Sequence, residues 1–154
     1  MHLSKFIIFC IFILLSSLYA FASKVDFQAI CIDGKMISLS DYMQDKIGVV
    51  LVFWTTWCPS CRKNIRRLMI EEYKFKDNRI GLLFINAGEP KVTVEHFFSK
   101  KHPSYAKIIL DRNLSLVRSF YIVGVPTFIF IDKDLKFIGR SFYLPSNFIK
   151  IFKK

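Results

Sequence analysis

The sequence predicts an α/β protein: a mixed central sheet flanked by helices, opened by an N-terminal β-hairpin. Three observations carry this. The run "IGVVLVFW" (residues 47–54) is apolar and largely β-branched, as suits a strand covered on both faces. A second such run, "RIGLLFIN" (79–86), follows a stretch with helical spacing, and strand–helix–strand order sets two parallel strands side by side through a right-handed crossover. Near the end, "PTFIFID" and "KFIGRSFY" flank "DKDL", an antiparallel hairpin that makes the sheet mixed.

The elements follow in order. "VDFQAICIDGKMISLS" reads as a hairpin turning at Asp33–Gly34. After the central strand, "CRKNIRRLMIEEYKF" has helical spacing, with Ile65, Leu68, Met69 and Tyr73 on one face and Arg62, Arg66 and Glu71 elsewhere. "TVEHFFSKKH" reads as a helix capped by Thr93 or the residue before it. "DRNLSLVRSFY" reads as another, with Asp111 as its cap. "PSNFIKIFKK" closes the chain as a short helix capped by Ser146. No repeat, low-complexity tract or linker interrupts the series, so residues 23–154 form one domain.

The 154 residues suffice for a real core. Residues 1–22 have the layout of a secretory signal: Lys5 as a short positive region, an apolar run from Phe6 to Leu15, and small residues at Ala20 and Ala22. The competing reading is an uncleaved membrane anchor, at the short end of what spans a bilayer. Cys10 lies inside the apolar run, not after a lipoprotein-type stretch, so a lipid anchor is not expected. Either way the domain is exported, to the periplasm or the outer face of the cytoplasmic membrane, where disulfide chemistry is open to it. The net charge is +11, and +10 without Lys5. Export and the lack of a basic stripe interleaved with aromatics argue against nucleic acid. The charge reads as a solvated lysine-rich surface in preference to a site for acidic partners or anionic lipids. Cys31, the odd thiol of the mature chain, reads as a small buried hydrophobe, and His96 as a helix-surface residue.

"WTTWCPSC" (54–61) carries the chemistry. Its C-x-x-C pair fits three roles: half of a zinc site, a structural staple, or a redox dithiol. Zinc needs two more ligands, and the mature chain offers only Cys31, His96 and His102, with no second C-x-x-C. A disulfide closing so short a loop restrains the unfolded chain little. The redox reading fits the position best. At a helix start, unpaired N–H groups and the helix dipole favour a thiolate. Cys58 falls near the N-cap, exposed and acidified; Pro59 falls at the first helical position, which tolerates it; Cys61 falls one turn on, buried. A nucleophile and a resolving thiol need that arrangement.

"VVLVFWTTWCPSCRKNI" and "VGVPTFIFIDKDLKFIGR" resemble the two signatures of the thioredoxin superfamily, and "DFQAICIDGKMISLSDY" resembles the leading hairpin of its exported TlpA/ResA-like thiol-disulfide oxidoreductases. The resemblance runs from Val25 to Arg140. It implies a thioredoxin fold in which Cys58 attacks, Cys61 resolves, Trp57 shields the pair and Pro126 is cis. The Val125 backbone then lies beside the dithiol, ready to pair with an extended substrate segment. The chain departs from the family at two places. Asn64 stands where an acid often follows the second cysteine, and is expected to face Cys61. Val52 stands where the thioredoxins proper keep an aspartate. Glu89, in "INAGEP", is the remaining candidate for proton transfer; its other reading is a loop carboxylate in water.

The resemblance implies an exported enzyme that exchanges the Cys58–Cys61 dithiol with cysteines of other proteins. It favours reduction, with electrons from a membrane donor and apocytochromes c or copper-site proteins as clients. No cofactor, resident metal or nucleic acid is implied. The rivals are a general disulfide oxidant or isomerase, and a non-catalytic module that holds copper(I) on its thiolates.

Overall fold

Alternate residues of the run Gly48–Trp54 feed two separate cores. Val50, Val52 and Trp54 pack on one side, and Val49, Leu51 and Phe53 on the other. Side chains along a strand alternate between faces, so a strand covered on both sides is apolar throughout. The computed structural model describes residues 24–153. The signal or anchor expected over residues 1–22, with Cys10, lies outside the described residues.

In chain order, β1 (Gln28–Ile30) and β2 (Met36–Ser38) pair antiparallel in a small sheet of their own. The turn closes as expected, with Gly34 at φ +83°, a conformation glycine adopts without steric cost. A short helix, α1 (Leu39–Tyr42), follows, its first turn held by the Ser38 hydroxyl accepting from the Asp41 N–H at 3.4 Å. Then come β3 (Gly48–Trp54), α2 (Pro59–Ile70), α3 (Glu72–Asp77) and β4 (Ile80–Ala87). The rest is α4 (Lys91–Phe98), β5 (Lys107–Asp111), α5 (Ser115–Ser119), β6 (Thr127–Asp132), β7 (Phe137–Ser141) and a closing 3-10 helix, Phe148–Phe152. The main sheet runs β5-β4-β3-β6-β7. β4 pairs parallel to β3, and β6 antiparallel, so Val52 lies between Phe84 and Phe128. The mixed sheet, its helices and the leading hairpin are those of the thioredoxin fold.

Several boundaries differ from the sequence reading, each for a tertiary reason. The helix expected through residue 75 breaks at Glu71. The break turns Glu72 inward, where its carboxylate accepts from the Ser104 N–H (2.8 Å), the Ser104 hydroxyl (2.6 Å) and the Ala106 N–H (2.9 Å). Tyr73, expected on the apolar face, is consequently exposed. β5 was not anticipated: its residues become a strand by pairing with β4. Cys31 covers its far edge through a bridge to Ile109. Cys31 is buried as expected, and burial raises its thiol pKa. Asp111 is not an N-cap but the last residue of β5. From there its carboxylate still receives the Leu116 N–H (3.1 Å) and the Val117 N–H (2.8 Å) of α5. α4 starts after Pro90 with no side-chain cap, and Thr93 lies inside it. The last element is 3-10, follows Asn147 and makes no use of Ser146 as a cap; Phe148 stacks on Phe75 at 4.6 Å.

Candidate active site

The chain leaves β3 at Trp54, turns through Thr55–Trp57, and enters α2 with Cys58 as the N-cap residue and Pro59 first in the helix. Cys58 has extended backbone angles (φ −81°, ψ 114°), which point its Sγ back over the helix start. There the sulfur accepts from the Cys61 N–H at 3.3 Å, as an oxygen does in an ordinary cap. The Ser60 hydroxyl is 3.2 Å from the same sulfur. Both thiols are unbonded, so this is the geometry of the reduced dithiol.

Burial works to raise the Cys58 pKa, but hydrogen bonds from Cys61 and Ser60 outweigh it and hold the thiol below its ordinary value. Cys61 goes the other way. It is fully buried, and burial together with its hydrogen bond to the Cys58 sulfur pushes it to about 12. One sulfur is poised to ionise and its neighbour holds a proton.

The expected exposure of Cys58 is corrected. The residue is only 6% exposed, because the loop before β6 closes over it and brings the Val125 carbonyl to 3.7 Å from Sγ. The Val125–Pro126 bond is cis, as the resemblance implies; Pro126 is buried and Val125 half-buried. Two contacts brace this loop. The Thr127 hydroxyl donates to the Gly124 carbonyl at 2.6 Å, and Arg140 donates to the Tyr121 carbonyl at 3.2 Å and to that of Phe120. Trp57 is brought to the site but stands 70% exposed, so most of its ring remains free for contact, whereas the carbonyl cover on the sulfur comes from Val125.

Asn64 is not brought to the sulfurs as expected. Its amide donates to the Ser60 carbonyl at 2.9 Å and closes the first turn of α2. Glu89 is no solvated loop carboxylate. One carboxylate oxygen accepts from the Thr56 N–H (2.7 Å) and from the Asn86 amide (2.6 Å), and the other from the Thr56 hydroxyl (2.5 Å). The acid is thereby tied to the turn two residues before Cys58. Sequence reasoning missed Thr56, which is 33 residues from Glu89, and passed over Asn86, although it stands three residues before the acid. It also passed over Ser60, although a hydroxyl inside the C-x-x-C dipeptide falls within reach of the N-cap sulfur. Among the described residues, no three His, Cys, Asp or Glu side chains gather into a metal-ligand set.

The arrangement resembles known proteins. The thiol-disulfide oxidoreductase ResA of Bacillus thuringiensis is 29% identical over 107 residues, covering 70% of this chain and 60% of that protein. ResA of Bacillus subtilis is 34% identical over 107 residues, covering 69% and 58%. The chain thus spans about 60% of the length of these two relatives. Among solved structures, the exposed lipoprotein thioredoxin Etrx1 of Streptococcus pneumoniae superposes with a TM-score of 0.70 at 21% identity, covering 84% of this chain and 98% of that one. StoA of Bacillus subtilis superposes with 0.68 at 21% identity, covering 86% and 99%. These likenesses establish the thioredoxin fold. The profile of the AhpC/TSA family matches residues 22–138, from the leading hairpin through the dithiol helix to the cis-proline strand, and on that match the chain belongs to this family of the thioredoxin superfamily.

Proposed function

We propose that this chain is an exported thiol-disulfide oxidoreductase working through Cys58 and Cys61. The observation that carries the reading is the placement of the two sulfurs: Cys58 at a helix N-cap, accepting the Cys61 N–H at 3.3 Å, which helps hold its thiol below the ordinary range, and Cys61 fully buried one turn on, where burial pushes its pKa up to about 12. The Cys58 thiolate attacks one sulfur of a client disulfide. A Cys58–client disulfide forms, and one client thiolate leaves and takes up a proton. Cys61 then gives up its proton and attacks Cys58 Sγ, closing the Cys58–Cys61 disulfide and expelling the second client thiolate. The second client thiolate takes up a proton in turn; the client gains two electrons from the dithiol and two protons, one matching that given up by Cys61 and one from solvent. A membrane-bound dithiol donor restores the reduced form. Trp57 and the Val125–Pro126 loop receive the client. Glu89, a fixed carboxylate beside the turn, takes the Cys61 proton by way of water.

The relatives' names support thiol-disulfide exchange. The finer reading rests on the likeness to exported TlpA/ResA-like enzymes: reduction of apocytochrome c or copper-site proteins after residues 1–22 have served as signal or anchor. Two experiments test these levels. Cys61→Ser should accumulate a client-linked mixed disulfide on a non-reducing gel, while Cys58→Ser traps little; equal trapping would refute the division of labour. Titration against glutathione should return a strongly reducing potential, and a value near that of the known protein oxidants would reverse the direction.

A further inference from the structure

A trough runs beside the dithiol between α2 and α4. It consists of two adjoining depressions, of about 480 Å³ and 600 Å³, which share Arg62, His96 and Phe97 as walls. The first reaches Thr56, two residues before Cys58, and the second continues to Lys101. Arg62 itself begins one turn after the sulfur, its N–H donating to the Cys58 carbonyl at 3.0 Å. The trough therefore begins at the turn that carries Cys58, although the sulfurs themselves do not line it.

Its walls carry charge of one sign. Arg62, Arg66, Lys100 and Lys101 line it, all four are exposed, and no Asp or Glu does. Among the described residues none of these four forms an ion pair, whereas Arg67 and Lys91 on the same two helices are paired with Glu71 and Glu95. The trough is also apolar: Phe97 is half-buried along it, and Ile70 is 68% exposed at its side. Like charges gathered around an apolar groove repel one another and leave apolar surface in water; an occupant carrying acids and an apolar side chain relieves both.

We infer that this trough docks an acidic peptide segment flanking the client's reactive cysteine, with carboxylates on Arg66 and Lys101 and an apolar residue on Phe97. The inference rests on the thiol-exchange reading and names the client's chemistry. A groove that starts two residues before Cys58 suits a chain whose own cysteine must reach that sulfur. A flat lipid surface would meet only the rim.

The test uses two synthetic peptides, each with one cysteine joined by a disulfide to a chromophoric thiol. One carries two glutamates and a leucine beside the cysteine, and the other two lysines and a leucine. The rate of chromophore release by the reduced protein is followed. The acidic peptide should react about tenfold faster at low salt, with the preference shrinking in molar salt. R66E/K101E should invert the ratio. K133E/K136E has the same net charge but changes the β6–β7 turn, which lies at the opposite end of β3 because Gly48 pairs with Asp132, and it should keep the ratio. Equal shifts in both variants would reduce the effect to overall charge and overturn the docking site. So would equal peptide rates combined with binding to phosphatidylglycerol vesicles that R66E/K101E alone abolishes; the face would then meet a membrane. If neither peptide reacts with the unaltered protein, thiol exchange itself fails, and this inference with it.

Discussion

Two sulfurs on one helical turn differ because each meets a different part of the same backbone. Cys58, at the cap, receives the Cys61 N–H, while Cys61, one turn in, has lost its water. Alkylation of the reduced protein should therefore modify Cys58 with a midpoint below the ordinary thiol value of 9.0, and Cys61 only as pH nears about 12. Mass spectrometry of iodoacetamide-treated protein across pH reads both. The same shift bears on stability. The Cys61 pKa is raised on folding, so its contribution is complete below 9.0 and is lost as pH climbs toward about 12. Wild type should lose more stability over that window than Cys61→Ser in parallel urea titrations, and identical losses would contradict the burial argument. Glu89 offers a second residue-scale test. Glu89→Gln keeps an acceptor for the Thr56 N–H but cannot take a proton. Stopped-flow kinetics should show slower release of the mixed disulfide, with the pH dependence of that step changed and the first attack preserved. A structural role alone would leave the pH dependence as it was.

At the scale of elements, the break between α2 and α3 matters more than either helix. It delivers Glu72 to the segment just before β5, where its buried carboxylate holds the buried Ala106 N–H and the part-buried N–H and hydroxyl of the exposed Ser104. Glu72→Ala leaves the buried Ala106 N–H unpaired, while water reaches the Ser104 donors, and an orphaned buried polar group costs about 1–3 kcal/mol. The expected loss in urea denaturation is about 1–3 kcal/mol, with faster hydrogen exchange at Ala106 than at the central strand β3. Uniform acceleration across the sheet would mean that Glu72 supports the whole fold and not the β5 junction.

For the whole molecule, closure depends on the C-terminal 3-10 helix meeting the first residue of β3. A methyl at Gly48 would lie 2.2 Å from a Phe152 ring carbon and 2.9 Å from the Ile131 carbonyl oxygen. The ring can swing away, but the carbonyl belongs to the paired strand β6. Gly48→Ala should therefore lower stability by about 1–3 kcal/mol, as overpacking commonly does. It should also expose the C-terminal segment to carboxypeptidase while Cys58, at the other end of the strand, keeps its alkylation profile. Full stability in the alanine variant would mean that the paired ends of β3 and β6 shift to make room.

Local chemistry in the sequence determined the two buried strands, both hairpin turns, the dithiol at a strand-to-helix junction, and Pro59 at the first helical position. Each depends on residues within one turn or one strand, so spacing alone expresses it. Tertiary structure alone decided the groups whose partners are distant in the chain. β5 is a strand because β4 lies beside it. Glu72 is buried because Ser104 and Ala106 meet it, and Glu89 is fixed because Thr56, 33 residues away, does. Cys58 reads as exposed from its place at a helix start, yet is covered because Val125 folds over it from 67 residues away. Asn64 reads as facing Cys61 from helical spacing, yet finds the Ser60 carbonyl first. Periodicity tells which way a side chain leaves its own element; only the assembled fold decides what stands there to meet it.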